Sequence, residues 1–294
     1  MSAPLRLATR GSALAQWQAR HVADLLRAAD PGLGIEFVVV ETTGDVRTDV
    51  PLHAIGGQGV FVKEVQHAVL DGRADVAVHS AKDLPSGPPP TGLVMAAVPP
   101  RADARDALVG STLAGLAPGA HVATGAVRRR AQLGLVRPDL VFDDLRGNID
   151  TRLTKVPAGG AIVVAQAALE RLGRAGQIAE VLAVDQMVPQ VGQGALAAEC
   201  RHADDRMRDR LAKVESTFDR SMVELERAFL ATLGGGCDLP VGAHACLDDD
   251  GQLVFHSFLA GPAGTWRDRR HGSAADHGWV ITTAREAAAS VGSA

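Results

Sequence analysis

The sequence predicts an α/β protein made of two similar lobes, followed by a small α+β domain. Short β-branched apolar segments alternate with helical segments, which is typical of parallel sheets covered by helices. This alternation restarts near Pro99-Pro100 and therefore predicts two α/β units. After residue 215 the pattern changes to one long helix and a hairpin. A chain of 294 residues is long enough for two or three domains.

The first lobe begins with a predicted strand at residues 5–9, and Ser12 is a good N-cap for the helix that follows. Residues 35–40 are mostly β-branched and apolar, which predicts a strand buried on both faces. Further strands are predicted at residues 75–78 and 93–98. Because open sheets bind ligands at the carboxyl ends of their strands, the residues that follow each strand are candidates for a site.

The second lobe repeats this arrangement. Its predicted strands are residues 107–109, 121–123, 140–142 and 161–165, with helices after Ala126, Ile149 and Gln166. A return segment at residues 191–195 leads to a strand at residues 196–199. The predicted domains are residues 1–98 with 194–214, residues 99–193, and residues 215–294. Two such lobes predict a ligand-binding cleft.

The C-terminal domain carries a glycine-rich loop with one cysteine. Residues 216–233 predict an amphipathic helix, since apolar residues recur every three or four positions. Gly234-Gly235-Gly236 then precede Cys237, and glycines leave room for a bulky group beside the main chain. We therefore expect the Cys237 thiol to be exposed on this loop, although a cysteine is more often a small buried side chain. A hairpin at residues 241–247 and 253–260 and a segment at residues 274–291 that ends in a helix complete the predicted domain.

Composition excludes several classes of function. The formal net charge is −4, whereas proteins that coat nucleic acid are basic. Tyr is absent and aromatic residues make up only 3%, which leaves few rings for base stacking. No apolar segment approaches the ~20 residues of a membrane span, and the N-terminus lacks a signal-peptide pattern, so we expect a cytoplasmic protein. The three cysteines match no metal motif and predict neither a disulfide framework nor a zinc site.

Arginines follow several of the predicted strands. They are Arg10, Arg128, Arg129, Arg130, Arg146, Arg152 and Arg171. A guanidinium presents a fixed fork of donors that binds carboxylates in pairs, so this set predicts a cleft for a ligand with many carboxylates or phosphates. The alternative is a solvated helix face, above all for Arg130.

Asp83 is the candidate acid–base residue. It follows a buried strand and neighbours Lys82, which predicts a position at the floor of the cleft. A carboxylate there can transfer protons and stabilise a developing cation. The alternative is a turn or capping role before Leu84-Pro85. The residues alone therefore predict an anion-binding cleft, one acid–base carboxylate and one exposed thiol.

An ordered set of motifs resembles the porphobilinogen deaminase (hydroxymethylbilane synthase) family. The motifs are residues 7–15, 61–64, 78–85, 145–148, 151–153, 191–195, 199–201 and 235–237. The resemblance covers most of the chain and is weak only after about residue 263. It implies two periplasmic-binding-protein-like (type II) lobes around a cleft, a small C-terminal α+β domain and a monomer.

The resemblance also implies the reaction and the residues that perform it. Four porphobilinogen molecules are joined head to tail with loss of ammonia, and hydroxymethylbilane is released by hydrolysis. A dipyrromethane cofactor is attached to Cys237 by a thioether, and Asp83 is the catalytic aspartate. The implied cofactor-binding residues are Asp83, Lys82, Ser12, Thr124, Arg128, Arg129, Arg146 and Gln193. The implied substrate-binding residues are Arg10, Ser12, Phe61, Arg146, Arg152 and Arg171.

The chain departs from the family pattern at two places. Ala54 and Gln58 stand where some members have lysines, and Gly125-Ala126 stand where paired serines are common. Both changes remove polar contacts to carboxylates. Cys200 and Cys246 have no implied role, and we expect them to be buried structural thiols. The alternative function is a non-catalytic two-lobed binding module for a polycarboxylate anion, which would need neither the aspartate nor the exposed cysteine.

Overall fold

The computed structural model of the chain describes residues 3–42, 59, 62–235 and 239–292. The chain divides into two compact units, Met1–Ala102 with Ala195–Arg220 and Asp103–Gly194 with Ser221–Ala294. The three domain ranges predicted from the sequence are not tested by this division and stay a prediction. No helix within the described ranges is both long and apolar enough to cross a membrane.

The described strands and helices are as follows. The strands are β1 (Leu5–Arg10), β2 (Ile35–Val40), β3 (Val76–Ser80), β4 (Leu93–Ala97), β5 (Asp106–Val109), β6 (His121–Ala123), β7 (Val141–Asp143), β8 (Ala161–Ala165), β9 (Ile178–Val181), β10 (Leu196–Arg201), β11 (Val241–Leu247), β12 (Leu253–Gly261) and β13 (Gly264–His271). The α-helices are α1 (Ala13–Ala29), α2 (Lys63–Leu70), α3 (Val127–Val136), α4 (Ile149–Leu153), α5 (Gln166–Arg171), α6 (Asp205–Ala212), α7 (Thr217–Thr232) and α8 (Gly278–Val291). Short 3-10 turns lie at Ala81–Asp83 and Ala175–Gln177.

The first unit is built on a mixed sheet with the strand order β2-β1-β3-β10-β4. Strand β1 pairs in parallel with β2 and β3, whereas β10 runs antiparallel to β3 and β4. Helices α1 and α6 bury apolar side chains such as Val22, Leu26 and Leu211 against this sheet. The parallel strands therefore end at one edge of the sheet, and β10 begins at that same edge.

The second unit contains a sheet of the same topology, ordered β7-β6-β8-β5-β9. Strand β6 pairs in parallel with β7 and β8, and β5 runs antiparallel to β8 and β9. Its core includes Leu108, Val122 and Val163 with Leu133 from α3. The shared strand order confirms the predicted fold class, in which two α/β lobes have a type II periplasmic-binding-protein-like topology.

A smaller antiparallel sheet, β11-β12-β13, forms the C-terminal part of the second unit. Its inner face packs on helices α7 and α8 through Phe229, Phe255, Leu259 and Ala284. The predicted hairpin is confirmed, because β11 and β12 pair from Val241↔Leu259 to Leu247↔Leu253. The small α+β domain of the predicted fold class is therefore present.

The sequence reasoning was wrong about β2 and missed β9 and β13. Strand β2 was expected to be buried on both faces, but Phe37 is 39% and Val39 is 58% exposed. The reason is that β2 is an edge strand of this sheet, where it pairs with β1. Strand β13 was missed because four consecutive charged residues occupy positions 267–270, so it lacks the apolar pattern of a strand.

Candidate functional site

One edge of the first sheet brings together four of the predicted site residues. Arg10 ends β1, Ser12 caps α1, and Lys82 and Asp83 lie in the turn that follows β3. The N–H of Ala81 donates to the carbonyl of Ala195 at 3.0 Å, which ties this turn to the start of β10. The predicted clustering after parallel strands is therefore present in this unit.

The side chains of Ser12 and Asp83 differ in their hydrogen bonding. The Ser12 hydroxyl accepts a hydrogen bond from the Ala15 N–H at 3.3 Å, so it serves as an N-cap. The Asp83 carboxylate is half-buried and has no hydrogen-bond or ion-pair partner among the described residues. The alternative capping role would require a backbone N–H that donates to Asp83, and none of the described N–H groups does so. Its carboxylate is thus available to a ligand.

The edge of the second sheet is organised around a buried carboxylate. Asp106 begins β5 and is 0% exposed. Arg128 donates from Nη2 to Asp106 Oδ2 at 2.7 Å, and Arg129 donates from Nη2 to Oδ1 at 2.8 Å. The other guanidinium nitrogens bind main-chain carbonyls, Arg128 Nη1 at Val188 (2.6 Å) and Arg129 Nη1 at Val163 (2.9 Å). The two arginines therefore lie inside the protein rather than on a solvated helix face.

The charges of this cluster do not balance. Among the described residues, Asp106 is the carboxylate that pairs with both guanidinium groups. One negative charge therefore faces two positive charges, which leaves one positive charge in excess. Burial would raise the pKa of Asp106, but Arg128 and Arg129 outweigh it and hold that pKa well below its usual range. Burial and the charge of Arg129 lower the pKa of Arg128, against the opposing effect of Asp106. A buried cation is stable only when it is paired, so this cluster suits a further anionic group.

Gln193 and Thr124 are buried and form hydrogen bonds near these arginines. Gln193 is fully buried and donates from Nε2 to Asp106 Oδ1 at 2.9 Å and to the Ala104 carbonyl at 2.7 Å. Thr124 is also fully buried, and its hydroxyl accepts from the Ala126 N–H at 3.3 Å. Both residues lie at the predicted sheet edge.

The remaining predicted arginines of this unit are more accessible. Arg146 follows β7 and is half-buried, and Arg152 on α4 donates from Nε to the Gly147 carbonyl at 2.8 Å. Arg171 ends α5 and donates to the Gly194 carbonyl at 2.6 Å. Burial, opposed by the nearby charge of Glu170, lowers the pKa of Arg171 to about 10.

Arg130 is the third arginine of the run. It is half-buried, pairs with Asp144 and donates to the Thr124 carbonyl at 2.9 Å from Nη2. The carboxylate of Asp144 is 90% exposed, so this pair lies at the surface. Adjacent arginines on α3 thus divide into two buried residues and one near the surface.

Several residues of interest lie outside the described ranges or away from the site. Cys237 and Phe61 fall outside the described residues, as do Ala54 and Gln58. Cys200 is fully buried, as expected, and burial raises its thiol pKa to about 11. The expectation that Cys246 is buried was wrong, because this residue of β11 is only half-buried.

Asp106 is a site residue that was not predicted from the sequence. The signal was present, because an aspartate stands directly before the apolar residues Ala107, Leu108 and Val109 of a predicted buried strand. A carboxylate in that position requires a cationic partner, and the lobe offers two adjacent arginines. The fold and these polar strand ends define an α/β protein with arginine and aspartate side chains at the carboxyl ends of the strands of its two sheets.

Comparisons with known proteins identify the family. A family model described as "Porphobilinogen deaminase, dipyromethane cofactor binding domain" matches residues 5–209, and one described as "Porphobilinogen deaminase, C-terminal domain" matches residues 221–292. The porphobilinogen deaminase of Roseiflexus castenholzii is 47% identical over 277 residues, which cover 92% of this chain and 91% of that protein. That of Acidothermus cellulolyticus is 49% identical over 275 residues, which cover 90% and 82%. The chain belongs to the porphobilinogen deaminase family, which confirms the resemblance inferred from the motifs.

Among solved structures, a point mutant of full-length BenM aligns with a TM-score of 0.43 and 14% identity, covering 73% of this chain and 66% of that one.

Proposed function

We propose that this chain is a transferase that joins four porphobilinogen molecules head to tail and releases hydroxymethylbilane by hydrolysis. One ammonia leaves for each porphobilinogen that is joined. The observation that carries the proposal is the buried cluster of Arg128, Arg129 and Asp106, which has one unbalanced positive charge. It lies within the part of the chain that the cofactor-binding family model matches.

The residues present fit a dipyrromethane cofactor. Each pyrrole ring carries two carboxylates, and a guanidinium binds a carboxylate through paired hydrogen bonds. Arg128 and Arg129 use only part of their ten N–H donors on the described residues. These two arginines, with Thr124, Gln193 and Arg146 at the same sheet edge, would hold the carboxylates. When bound, the cofactor supplies the pyrrole carbon to which the first substrate is joined.

Cys237 is proposed as the point of attachment. Its thiol would form a thioether, and the covalent link would keep the acceptor in the protein at a high effective concentration. Lys82 and Ser12 are proposed to assist Asp83 in binding the cofactor. We further propose that Arg10, Arg146, Arg152 and Arg171 bind the carboxylates of the substrate, and that Phe61 contacts it. These roles and a monomeric state follow from the family motifs, whereas a cytoplasmic location is proposed from the sequence pattern alone.

Asp83 is proposed to perform the acid–base chemistry. Loss of ammonia leaves the substrate ring poor in electrons, and a fixed carboxylate stabilises that positive charge. In its protonated form the same group can transfer a proton to the leaving amine, and the carboxylate so formed can remove one from the attacked ring carbon. The position of Asp83 after β3, without a partner among the described residues, supports this role because none of those residues competes for the carboxylate.

Intact-protein mass spectrometry and turnover assays test the proposal together. The wild-type protein should carry two pyrrole units, which the Cys237→Ser variant should lack. The Asp83→Asn variant should keep the pyrrole units and lose at least 100-fold in turnover. Asp24→Asn is the matched control, since the Asp24 carboxylate is 73% exposed and lies on the outer part of α1. An active wild-type protein without added mass would refute covalent attachment, and full activity of Asp83→Asn would refute its role.

The family finding does not favour the alternative, a non-catalytic module that binds a polycarboxylate. Such a module would share the arginines but would have no pyrrole attached to Cys237. Staining of the purified protein with an aldehyde reagent for pyrroles separates the two functions. A negative stain on protein that binds polycarboxylates would favour the binding module.

A further inference from the structure

The position of Arg128 depends on a main-chain carbonyl as well as on Asp106. Arg128 Nη2 donates to Asp106 Oδ2 at 2.7 Å, and Nη1 donates to the Val188 carbonyl at 2.6 Å. Two acceptors on different sides fix the plane of the guanidinium group and therefore the direction of its remaining N–H donors. Val188 belongs to a connecting segment after β9, so its carbonyl must itself be held in place.

Gln132 holds this carbonyl. It lies four residues after Arg128 on α3, which places both side chains on one face of the helix. Its carboxamide pairs with both backbone groups of Val188, because Nε2 donates to the carbonyl at 3.0 Å and Oε1 accepts from the N–H at 2.8 Å. Gln132 is fully buried. The Val188 carbonyl thus accepts hydrogen bonds from Arg128 and Gln132 together.

Arg267 on β13 holds Gln132 in turn. Its Nη2 donates to Gln132 Oε1 at 3.0 Å and to the Gln186 carbonyl at 3.4 Å, and its Nη1 donates to the Asp185 carbonyl. The guanidinium carbon lies 5.3 Å from the centre of the Phe258 ring, which adds a cation–π contact. Because Gln132 Oε1 accepts from both Arg267 and Val188, a rotated carboxamide would leave these two donors facing an NH₂ group.

We propose that Gln132 and Arg267 are positioning residues for Arg128. They fix the Val188 carbonyl, and this carbonyl directs the free N–H donors of Arg128 toward a carboxylate of the cofactor. This inference rests on the proposed function. Its consequence is a physical link between two parts of the second unit: β13 belongs to the sheet whose first strand begins at Val241, four residues after Cys237. The sheet beside the attachment loop is thereby tied to an arginine that binds the attached group.

The experiment compares Arg267→Gln with Arg269→Gln. Arg269 lies two residues along the same strand, its side chain is 55% exposed, and its ion pair with Asp248 is long at 3.8 Å. Protein produced without porphobilinogen is mixed with porphobilinogen, and the gain of two pyrrole units is followed by intact mass. Turnover is then measured per loaded molecule.

Arg267→Gln should load at least fivefold more slowly than wild type, while turnover per loaded molecule stays within twofold. Arg269→Gln should match wild type within twofold in both quantities. Arg267→Lys, which keeps one donor near Gln132, should recover part of the loading rate, and it replaces Arg267→Gln if that variant does not fold. Equal loading by the Arg267 and Arg269 variants would overturn the positioning role. If wild-type protein gains no pyrrole units, the proposed function itself fails instead.

Discussion

Replacement of Asp106 by Asn tests whether one buried carboxylate stabilises two buried guanidinium groups. Asp106 accepts four hydrogen bonds, at 2.7 Å from Arg128, 2.8 and 3.1 Å from Arg129 and 2.9 Å from Gln193. The asparagine would keep the shape but remove the charge, and its NH₂ group would face a guanidinium donor. Loss of one partner from a buried ion pair costs about 3–5 kcal/mol.

This cost converts to a large change in melting temperature. For a unit of this size, each kcal/mol lost from the free energy of unfolding lowers the melting temperature by about 2–4 °C. Asp106→Asn should therefore lower the melting temperature by about 6–20 °C. The assay is urea and thermal unfolding followed by circular dichroism. The matched control is Asp139→Asn, because Asp139 also binds one guanidinium through both oxygens, at 2.8 and 2.6 Å from Arg137, but its side chain is 36% exposed. That surface pair should contribute little to stability, because water screens the charges of exposed ion pairs.

A bound carboxylate should change the result in a defined direction. The excess positive charge of the cluster rises from one to two when Asp106 becomes Asn, and a ligand carboxylate would offset part of it. The loss of stability should therefore be smaller in cofactor-loaded protein than in the Cys237→Ser background. A loss of less than about 1 kcal/mol in both backgrounds, or a loss equal to that of Asp139→Asn, would refute the charge argument.

Three further predictions concern other parts of the second unit. Gly125→Ser should destabilise the protein by about 1–3 kcal/mol in urea unfolding, because a Cβ there would lie 2.8 Å from the Leu145 carbonyl oxygen. Ala126→Ser should instead stabilise it by about 1 kcal/mol, since Ala126 is the N-cap of α3 and provides no side-chain cap. Burial lowers the pKa of His256 from 6.5 to about 4 in the folded protein. As the pH drops from about 6.5 toward 4, the imidazole is therefore protonated in the unfolded protein before it is protonated in the folded protein, and the stability of the fold decreases. The loss should be roughly 1–2 kcal/mol once solvent screening of this partly exposed ring is allowed for. His256→Gln should flatten the profile of melting temperature against pH and the exposed control His271→Gln should not; parallel profiles would contradict the assignment.

The sequence was informative where local pattern and sheet geometry act together. Arginines and Asp83 were predicted at strand ends, and parallel pairing brings the ends of neighbouring strands to one edge whatever the details of packing. The Asp106 cluster could not be predicted in the same way, because its members come from β5, α3 and the segment that carries Gln193. The spacing of residues along the chain does not indicate which carboxylate contacts which guanidinium when the two are far apart in sequence. The departure at Gly125 is similar, since the close approach of Leu145 appears only in the folded chain.

The difference in burial among the arginines fits a division of their proposed roles. Arg128 and Arg129 are 4% and 5% exposed and are held by a carboxylate and main-chain carbonyls, so they lose little further freedom when a ligand binds. Such rigid donors suit a group that stays attached to the protein. Arg152, proposed to bind substrate, is half-buried and more accessible, which suits substrates that must enter and advance, and Arg146, proposed to bind both groups, is half-buried as well. Asp106 makes this division possible, because without a buried carboxylate the two rigid cations could not remain inside the protein before the cofactor is attached.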